Sequence, residues 1–396
     1  MTSTPQPLAG LRVVEFTHMV MGPTCGMILA DMGAEVIKVE PIDGEGTRRL
    51  LGAGAGFFPM FNRNKKSMAA DLHKPEGAAI ARRVAASADV VVENFKPGTM
   101  VKYGLDYASL APANPRLIYV SNKGFLPGPY ENRTALDEVV QMMGGLAYMT
   151  GLPDRPLRVG SSVNDIMGGM FGAIAILAAL RERDATGHGK HVKSALFENT
   201  VYLVAQHMAQ QAITGEAPPP MSVKRPAWGI YDIFDTRDAD RLFVGVVTDT
   251  QWAVFCREFG EPELGADARL ATNALRVKER GWLVPRLNEI FKRHDKASLE
   301  AKLEAIGLPF APIAKPWDLF DDPHLNAAGG LVETRVAPGT SVKVPSLPRE
   351  FDGQRLPKRS DPPLLGEGAR GLLEGLGLAA AEIDALARDG IVGLAA

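Results

Sequence analysis

Residues 11–40, LRVVEFTHMVMGPTCGMILADMGAEVIKVE, read as strand, helix and strand in succession. LRVVEF (11–16) is a short run of apolar and β-branched residues, residues 22–32 repeat apolar side chains at helical spacing, and EVIKVE (35–40) is a second strand. The pattern continues after a polar loop and the segment 57–62. Residues 75–87 open with a proline suited to a first helical turn, and residues 89–93 (DVVVE) and 116–120 (RLIYV) are further strands. Strands alternating with helices of this length predict an α/β fold, a parallel sheet with helices on both faces. A ligand then lies beyond the carboxyl ends of the strands, here residues 17–22, 41–49, 94–98 and 121–124.

From residue 136 the texture changes to longer helical stretches, 137–149, 165–183 and 194–213. GEAPPPMSVKRPAWG (215–229) breaks every periodicity and reads as a linker. GIYDIFDTRDADRLFVGVV (229–247) has the form of a β-hairpin turning at 238–241, with helical segments following to about residue 307. The domain division expected is therefore a large domain begun by 1–215, a linker at 216–229, a smaller α+β domain at 230–325, and a return to the large domain at 326–396.

The chain has 396 residues, 46% hydrophobic and 23% charged, with a formal net charge of −2. That balance is ordinary for a globular protein and, with no block of like charge, argues against nucleic-acid or membrane-surface partners. The longest apolar run, 166–180, is short for a bilayer and carries three glycines. Two distant cysteines, Cys25 and Cys256, fit a reducing compartment, and MTSTPQPLAG lacks a signal pattern. A cytoplasmic protein is the expectation.

Glu40 closes the second strand where a ribose-binding acid sits in dinucleotide folds, but the first turn, THMVMGPTCG, lacks G-x-G-x-x-G. A nicotinamide or flavin site is not expected. Arg63, Lys65, Lys66, Lys96 and Lys102 fall near predicted strand ends, either as solvated surface or as phosphate ligands. The only histidines near metal-ligand spacing, His188 and His191, lie in TGHGKH without an acidic third ligand, so no metal site is expected. Asp165 is the only ionisable residue between Arg158 and Arg181. Ser162-x-x-Asp165 matches a capping box, which makes the aspartate a helix cap. The same N–H donors keep a carboxylate ionised and hence available as a nucleophile, and Gly168, Gly169 and Gly172 leave one helical face bare for a ligand. Residue chemistry alone leaves both readings open.

Five stretches in order resemble the family III CoA-transferases, which include formyl-CoA:oxalate and crotonobetainyl/carnitine CoA-transferases. They are residues 8–40, FNRNKKSMAADL (61–72), ADVVVENFKPGTMVKYGLDY (88–107), NPRLIYVSNKGF (114–125) and PLLGEGARGLLEGLGL (363–378). The resemblance runs nearly end to end, with residues 215–229 matching least. It implies a large Rossmann-like CoA-binding domain, a smaller α+β domain and an interlocked homodimer. It implies that Asp165 attacks an acyl-CoA thioester, with acyl-CoA as substrate and no tightly bound cofactor. Backbone N–H groups near Gly168 and Gly169, or a glycine-containing loop opposite, are the expected oxyanion donors. Carried over by position, the CoA contacts are Val20, Met21, Ala70, Asp71, Leu72, His73, Asn94, Phe95, Lys96, Lys102, Thr134, Ala135, Leu136 and Asp137.

The sequence departs from the formyl-CoA type, which has glutamine at Val20, arginine at Pro41, lysine at Thr134 and a glycine quartet where KRPAWGIYD stands. Residues 123–151 look more like the branch that handles short dicarboxylic acids with succinyl-CoA. The cations proposed for an acceptor carboxylate are Arg48, Lys96 and Arg133. Two alternatives accompany this reading. An acyl-CoA racemase of the same fold needs a histidine near Ala135, and none lies between His73 and His188. A non-catalytic acyl-CoA-binding protein would use Asp165 only as a cap.

Overall fold

Residues 11–40 fold as read. β1 (Arg12–Phe16), α1 (Met21–Asp31) and β2 (Glu35–Glu40) form a βαβ unit in which Val13 pairs with Val36 in parallel. The computed structural model describes residues 6–223, 227–337 and 339–395, so Lys224, Arg225 and Pro226 of the expected linker lie outside the described residues. β3 (Lys65–Ala70), α2 (Pro75–Ala86), β4 (Val90–Glu93) and β5 (Ile118–Lys123) follow. Two short helices, α3 (Asp137–Met143) and α4 (Leu146–Thr150), precede the long α5 (Val163–Thr186), then β6 (His191–Ala195) and α6 (Leu196–Thr214).

The sheet runs β12-β3-β2-β1-β4-β5-β6, parallel throughout except that β12 (Val392–Gly393) pairs antiparallel with β3. Without β12 this is the 3-2-1-4-5-6 order of doubly wound folds, whose ligand crevice opens where the order reverses, between β1 and β4. Alternate residues of each strand feed two cores. Val14, Phe16, Ile37 and Val91 pack on one side with α2, and Val13, Val36, Val90 and Val92 on the other with α1 and α5. Each such aliphatic side chain, taken from water, contributes about 1.5–3 kcal/mol.

Several elements differ from expectation. The predicted helix 137–149 is two helices, because Gly145 takes φ +82° between them. The predicted helix 194–213 starts as strand β6, which puts His191 at the start of a strand, with its side chain exposed, where a surface turn was expected. β3 was not anticipated, since its opening Lys65-Lys66 masks a strand that is otherwise buried. α5 spans 24 residues and by length and composition is long enough to cross a bilayer, unlike the 166–180 run read from sequence. Its glycine-bearing side packs on α1.

The chain divides into two compact units, residues 1–222 with 323–396, and residues 223–322. The smaller unit is an antiparallel sheet of β7 (Ile230–Asp235), β8 (Arg241–Val246) and β9 (Phe310–Pro312). Its helices include α7 (Asp249–Glu258), α8 (Arg280–Phe291) and α9 (Lys296–Ala305), which enclose Phe234, Phe255, Leu287 and Phe291. In the larger unit, β10 (Leu331–Ala337) and β11 (Thr340–Pro345) form a separate hairpin. α10 (Ala369–Gly375) and α11 (Ala380–Arg388) then return to the core beside α2.

Candidate active site

At the reversal of strand order the two strand ends are tied together. Asn94, just past β4, accepts the His18 N–H through Oδ1 at 3.0 Å and donates Nδ2 to the His18 carbonyl at 2.8 Å. Met19 follows with φ +62°, a conformation uncommon for a non-glycine residue, and its N–H is held by Thr47 Oγ1 at 3.1 Å. Beneath this turn lies buried charge. Lys38 Nζ reaches the Thr17 carbonyl at 2.8 Å, Glu45 at 3.1 Å and Glu15 at 3.5 Å. Burial pulls the Lys38 ammonium down, but the surrounding carboxylates outweigh it and hold its pKa above the ordinary value.

Asp165 stands in the first turn of α5. The expected capping box does not form, for the Ser162 side chain makes no cap hydrogen bond. Asp137 of α3 does the capping instead. Its Oδ2 accepts the N–H groups of Asn164 at 2.8 Å and Asp165 at 3.0 Å. Its Oδ1 accepts from the Gln141 amide, and Gln141 Oε1 accepts the Val159 N–H at 2.8 Å. No hydrogen bond or ion pair engages the Asp165 carboxylate among the described residues. Burial pushes its pKa up to about 7, with the Asp137 charge pushing the same way. This reverses the expectation that N–H donors hold Asp165 ionised: those donors belong to Asp137.

The glycines of α5 are likewise filled rather than bare. A Cβ on Gly168 meets Met21 Cε at 2.4 Å, one on Gly169 meets the Met21 carbonyl oxygen at 2.6 Å, and one on Gly172 meets Asn122 Oδ1 at 3.0 Å. Nor can Gly168 and Gly169 offer oxyanion donors, because they lie past the first turn, where each N–H is bonded within the helix.

A cleft of about 340 Å³ opens beside Asp165. Met21, Asn94, Ala135, Leu136 and Asp137 line it, as do four residues that sequence reasoning did not select: His18, Asn122, Lys123 and Arg158. Asn122 is buried, and its amide has no partner among the described residues. Burial lowers the His18 pKa, which leaves a neutral imidazole near pH 7. A second cleft of about 430 Å³ is lined by Ala70, Asp71, Leu72, His73 and Phe95, together with the apolar Phe16, Val39 and Met100. Neighbouring residues, Asn94 and Phe95, thus serve the two clefts.

Other expected contacts lie elsewhere. Val20 is buried against Met27 and Phe61, and Thr134 lines neither cleft. Lys96 borders a separate hollow with His191, while Lys102 Nζ lies 5.3 Å from the Tyr103 ring centroid. Arg133 stacks on Tyr130 at 4.3 Å. Arg48 grips Glu40 with two hydrogen bonds of 2.7 Å and also reaches the Pro363 carbonyl, so Glu40 is occupied as well. Arg63 and Lys65, expected at the ligand edge, sit at the amino end of β3. There Arg63 pairs with Asp31 at 2.6 Å and Lys65 with Glu15 at 2.8 Å. Lys66 pairs with Glu35 at 2.6 Å. The buried Arg63 and Lys65 thus have the carboxylate partners that interior cations require, whereas the Lys66 pair is partly exposed.

Comparison with known proteins places these observations in one group. The model of CoA-transferase family III matches residues 8–369. Succinate–glutarate CoA-transferase of Agrobacterium fabrum is 35% identical over 383 residues, covering 93% of this chain and 96% of the relative. Succinyl-CoA–D-citramalate CoA-transferase of Chloroflexus aurantiacus is 32% identical, covering 83% of each chain. The crystal structure of a CaiB/BaiF family protein from Brucella suis superposes with a TM-score of 0.84 at 36% identity, over 94% of this chain and all of that one.

Proposed function

The chain belongs to CoA-transferase family III, and we propose that it moves CoA from succinyl-CoA to a short dicarboxylic acid through covalent intermediates on Asp165. The observation that carries this reading is a carboxylate with no protein partner, at the mouth of a cleft, on a helix capped by a different aspartate. The relatives' names supply the substrate class, since glutarate and citramalate both carry two carboxylates.

In the first step an Asp165 oxygen attacks the donor thioester carbonyl, and CoA thiolate leaves an acyl-aspartyl anhydride behind. The thiolate attacks the Asp165 carbonyl, which expels the donor acid and leaves an aspartyl-CoA thioester. The acceptor carboxylate attacks that thioester and releases the thiolate again. The thiolate then attacks the acceptor carbonyl, which yields acceptor-CoA and free Asp165. A carboxylate with pKa about 7 suits this chemistry, because it is more basic than an ordinary aspartate yet half ionised at neutral pH.

CoA is assigned to the 430 Å³ cleft, where Leu72 and Phe95 offer apolar walls to the base, with the thioester reaching Asp165 past Asn94. Residues 1–215 and 326–396 form the CoA-binding domain in this reading, and 230–325 the smaller one. A homodimer accounts for the apolar surface of α5 and α6, where Ile174 is 55% and Ile213 84% exposed. The buried free thiols of Cys25 and Cys256 suit the cytoplasm.

One observation favours a second reading. His18 lines the Asp165 cleft as a neutral imidazole, which supplies a base that residue order did not reveal for an acyl-CoA racemase. A single experiment separates the two. The protein is incubated with succinyl-CoA, quenched with hydroxylamine and digested, and the Asp165 peptide is weighed. A hydroxamate on Asp165 supports transfer. An unmodified peptide, together with deuterium exchange beside the thioester carbonyl, would support the racemase.

A further inference from the structure

Besides the neutral His18, the cleft at Asp165 is lined by two cationic side chains, Lys123 and Arg158, and they are held very differently. Lys123 is spoken for: its ammonium contacts Glu93 at 2.7 Å and the Phe95 carbonyl at 2.7 Å. Arg158 has one loose ion pair, with Glu138 at 3.5 Å, and both side chains are solvent-exposed, at 43% and 58%. Its remaining hydrogen bond, from Nε, goes to the adjacent Val159 carbonyl at 3.3 Å. Its backbone, by contrast, is fixed. The Val159 N–H is bonded to Gln141, Gln141 to Asp137, and Asp137 caps the turn that carries Asp165. The backbone that carries Arg158 and the turn that carries Asp165 are therefore anchored to the same aspartate.

We propose that Arg158 binds the far carboxylate of the acyl group in both half-reactions, and so selects dicarboxylic acids as acceptors and dicarboxylic acyl-CoAs as donors. The inference rests on the transferase reading. Donor and acceptor acyl groups each form in turn a mixed anhydride with the Asp165 carboxyl, so each occupies the same space, and one cation serves both. An incoming carboxylate replaces Glu138 on the guanidinium with a bidentate, charge-assisted pair that the loose 3.5 Å contact does not make.

The test pairs each dicarboxylic substrate with its counterpart lacking the far charge: succinyl-CoA against butyryl-CoA, and glutarate against pentanoate. The wild-type protein should favour the dicarboxylic member of both pairs in kcat/KM. Arg158→Gln should reduce both preferences together, by about 10- to 100-fold and through KM, which is the loss expected for a hydrogen-bonded charge pair. Arg158→Lys should retain part of each preference. Glu138→Gln, which removes the competing carboxylate, should leave the preferences intact or raise them. Hydroxylamine trapping on Asp165 at saturating succinyl-CoA reports that Arg158→Gln is folded and reactive. If that adduct forms and the preferences are unchanged, Arg158 is not the selector. An equal loss in Glu138→Gln would overturn the inference too, because it would make the pair a structural unit. Absence of any adduct in the wild type counts against the transferase reading itself, a separate result.

Discussion

Asp137 caps the helix that carries Asp165, accepting the Asp165 N–H at 3.0 Å, and its charge helps to keep a proton on the residue it seats. The rate of succinate release in a single turnover with succinyl-CoA should therefore rise with pH and level off above about 7, as Asp165 ionises. Asp137→Asn keeps an acceptor and removes the charge. Its profile should shift to lower pH without reaching the ordinary aspartate value of 3.8, because burial, the larger cause, persists. An unshifted profile would mean that Asp137 acts on the helix alone.

Stability should move in the opposite sense. The Asp165 pKa is raised from 3.8 to about 7 on folding, so the folded state binds more protons across that window and loses stability as pH rises through it. Asp165→Asn carries no charge to bury. It should melt at a higher temperature than wild type at pH 8, and the advantage should vanish below about pH 4. A constant difference at all pH values would show that ionisation is not its source.

Gly169 admits no side chain. A Cβ there meets the Met21 carbonyl oxygen at 2.6 Å and the Cys25 nitrogen at 2.9 Å, both backbone atoms that cannot swing away. Gly169→Ala should cost about 1–3 kcal/mol despite alanine's helix preference. Gly160→Ala, where nothing lies within 4 Å, should stay within about 0.5 kcal/mol of wild type. Denaturant midpoints of the two variants decide the point.

Arg48 and Arg158 should separate structure from selection. Arg48→Ala strands the buried Glu40 carboxylate and should destabilise by about 3–5 kcal/mol, the usual loss on breaking a buried pair. The preference for glutarate over pentanoate should survive in the folded fraction. Loss of that preference would return Arg48 to the acyl pocket.

The backbone plan was legible where local pattern and burial agree. EVIKVE is bounded to the residue, because Val36, Ile37 and Val39 mark it as a buried strand even though Lys38 and Glu40 are buried with them. KKSMAA was missed because Lys65 looks like surface until Glu15 and Lys38, from two other strands, supply its setting. Asp165 stood out as a lone charge, but its cap did not. Ser162 and Asp165 had the spacing of a capping box, while the acceptor used comes from 28 residues upstream. The same holds for Arg158 and His18: nothing local says that both line the cleft beside Asp165, since their meeting depends on the order of strands. Arg48 failed as a candidate for the converse reason, for Glu40 claims it first.

β3 pairs on its outer side with β12, about 320 residues further along the chain, and the Asp71 N–H ends on the Ile391 carbonyl at 2.9 Å. At ordinary rates of translation those residues leave the ribosome roughly 15 to 60 s after β3 does. Throughout that interval the outer N–H and C=O groups of Ala69 and Ala70 have no strand beside them, a state that invites pairing with another chain. α1, α3 and α5 are complete far earlier, so the seat of Asp165 can form while the floor of the 430 Å³ cleft, residues 70–73, still awaits its neighbour. The nascent protein can thus seat Asp165 before the cleft is finished, and the long wait of β3 marks where a folding chaperone has most to protect.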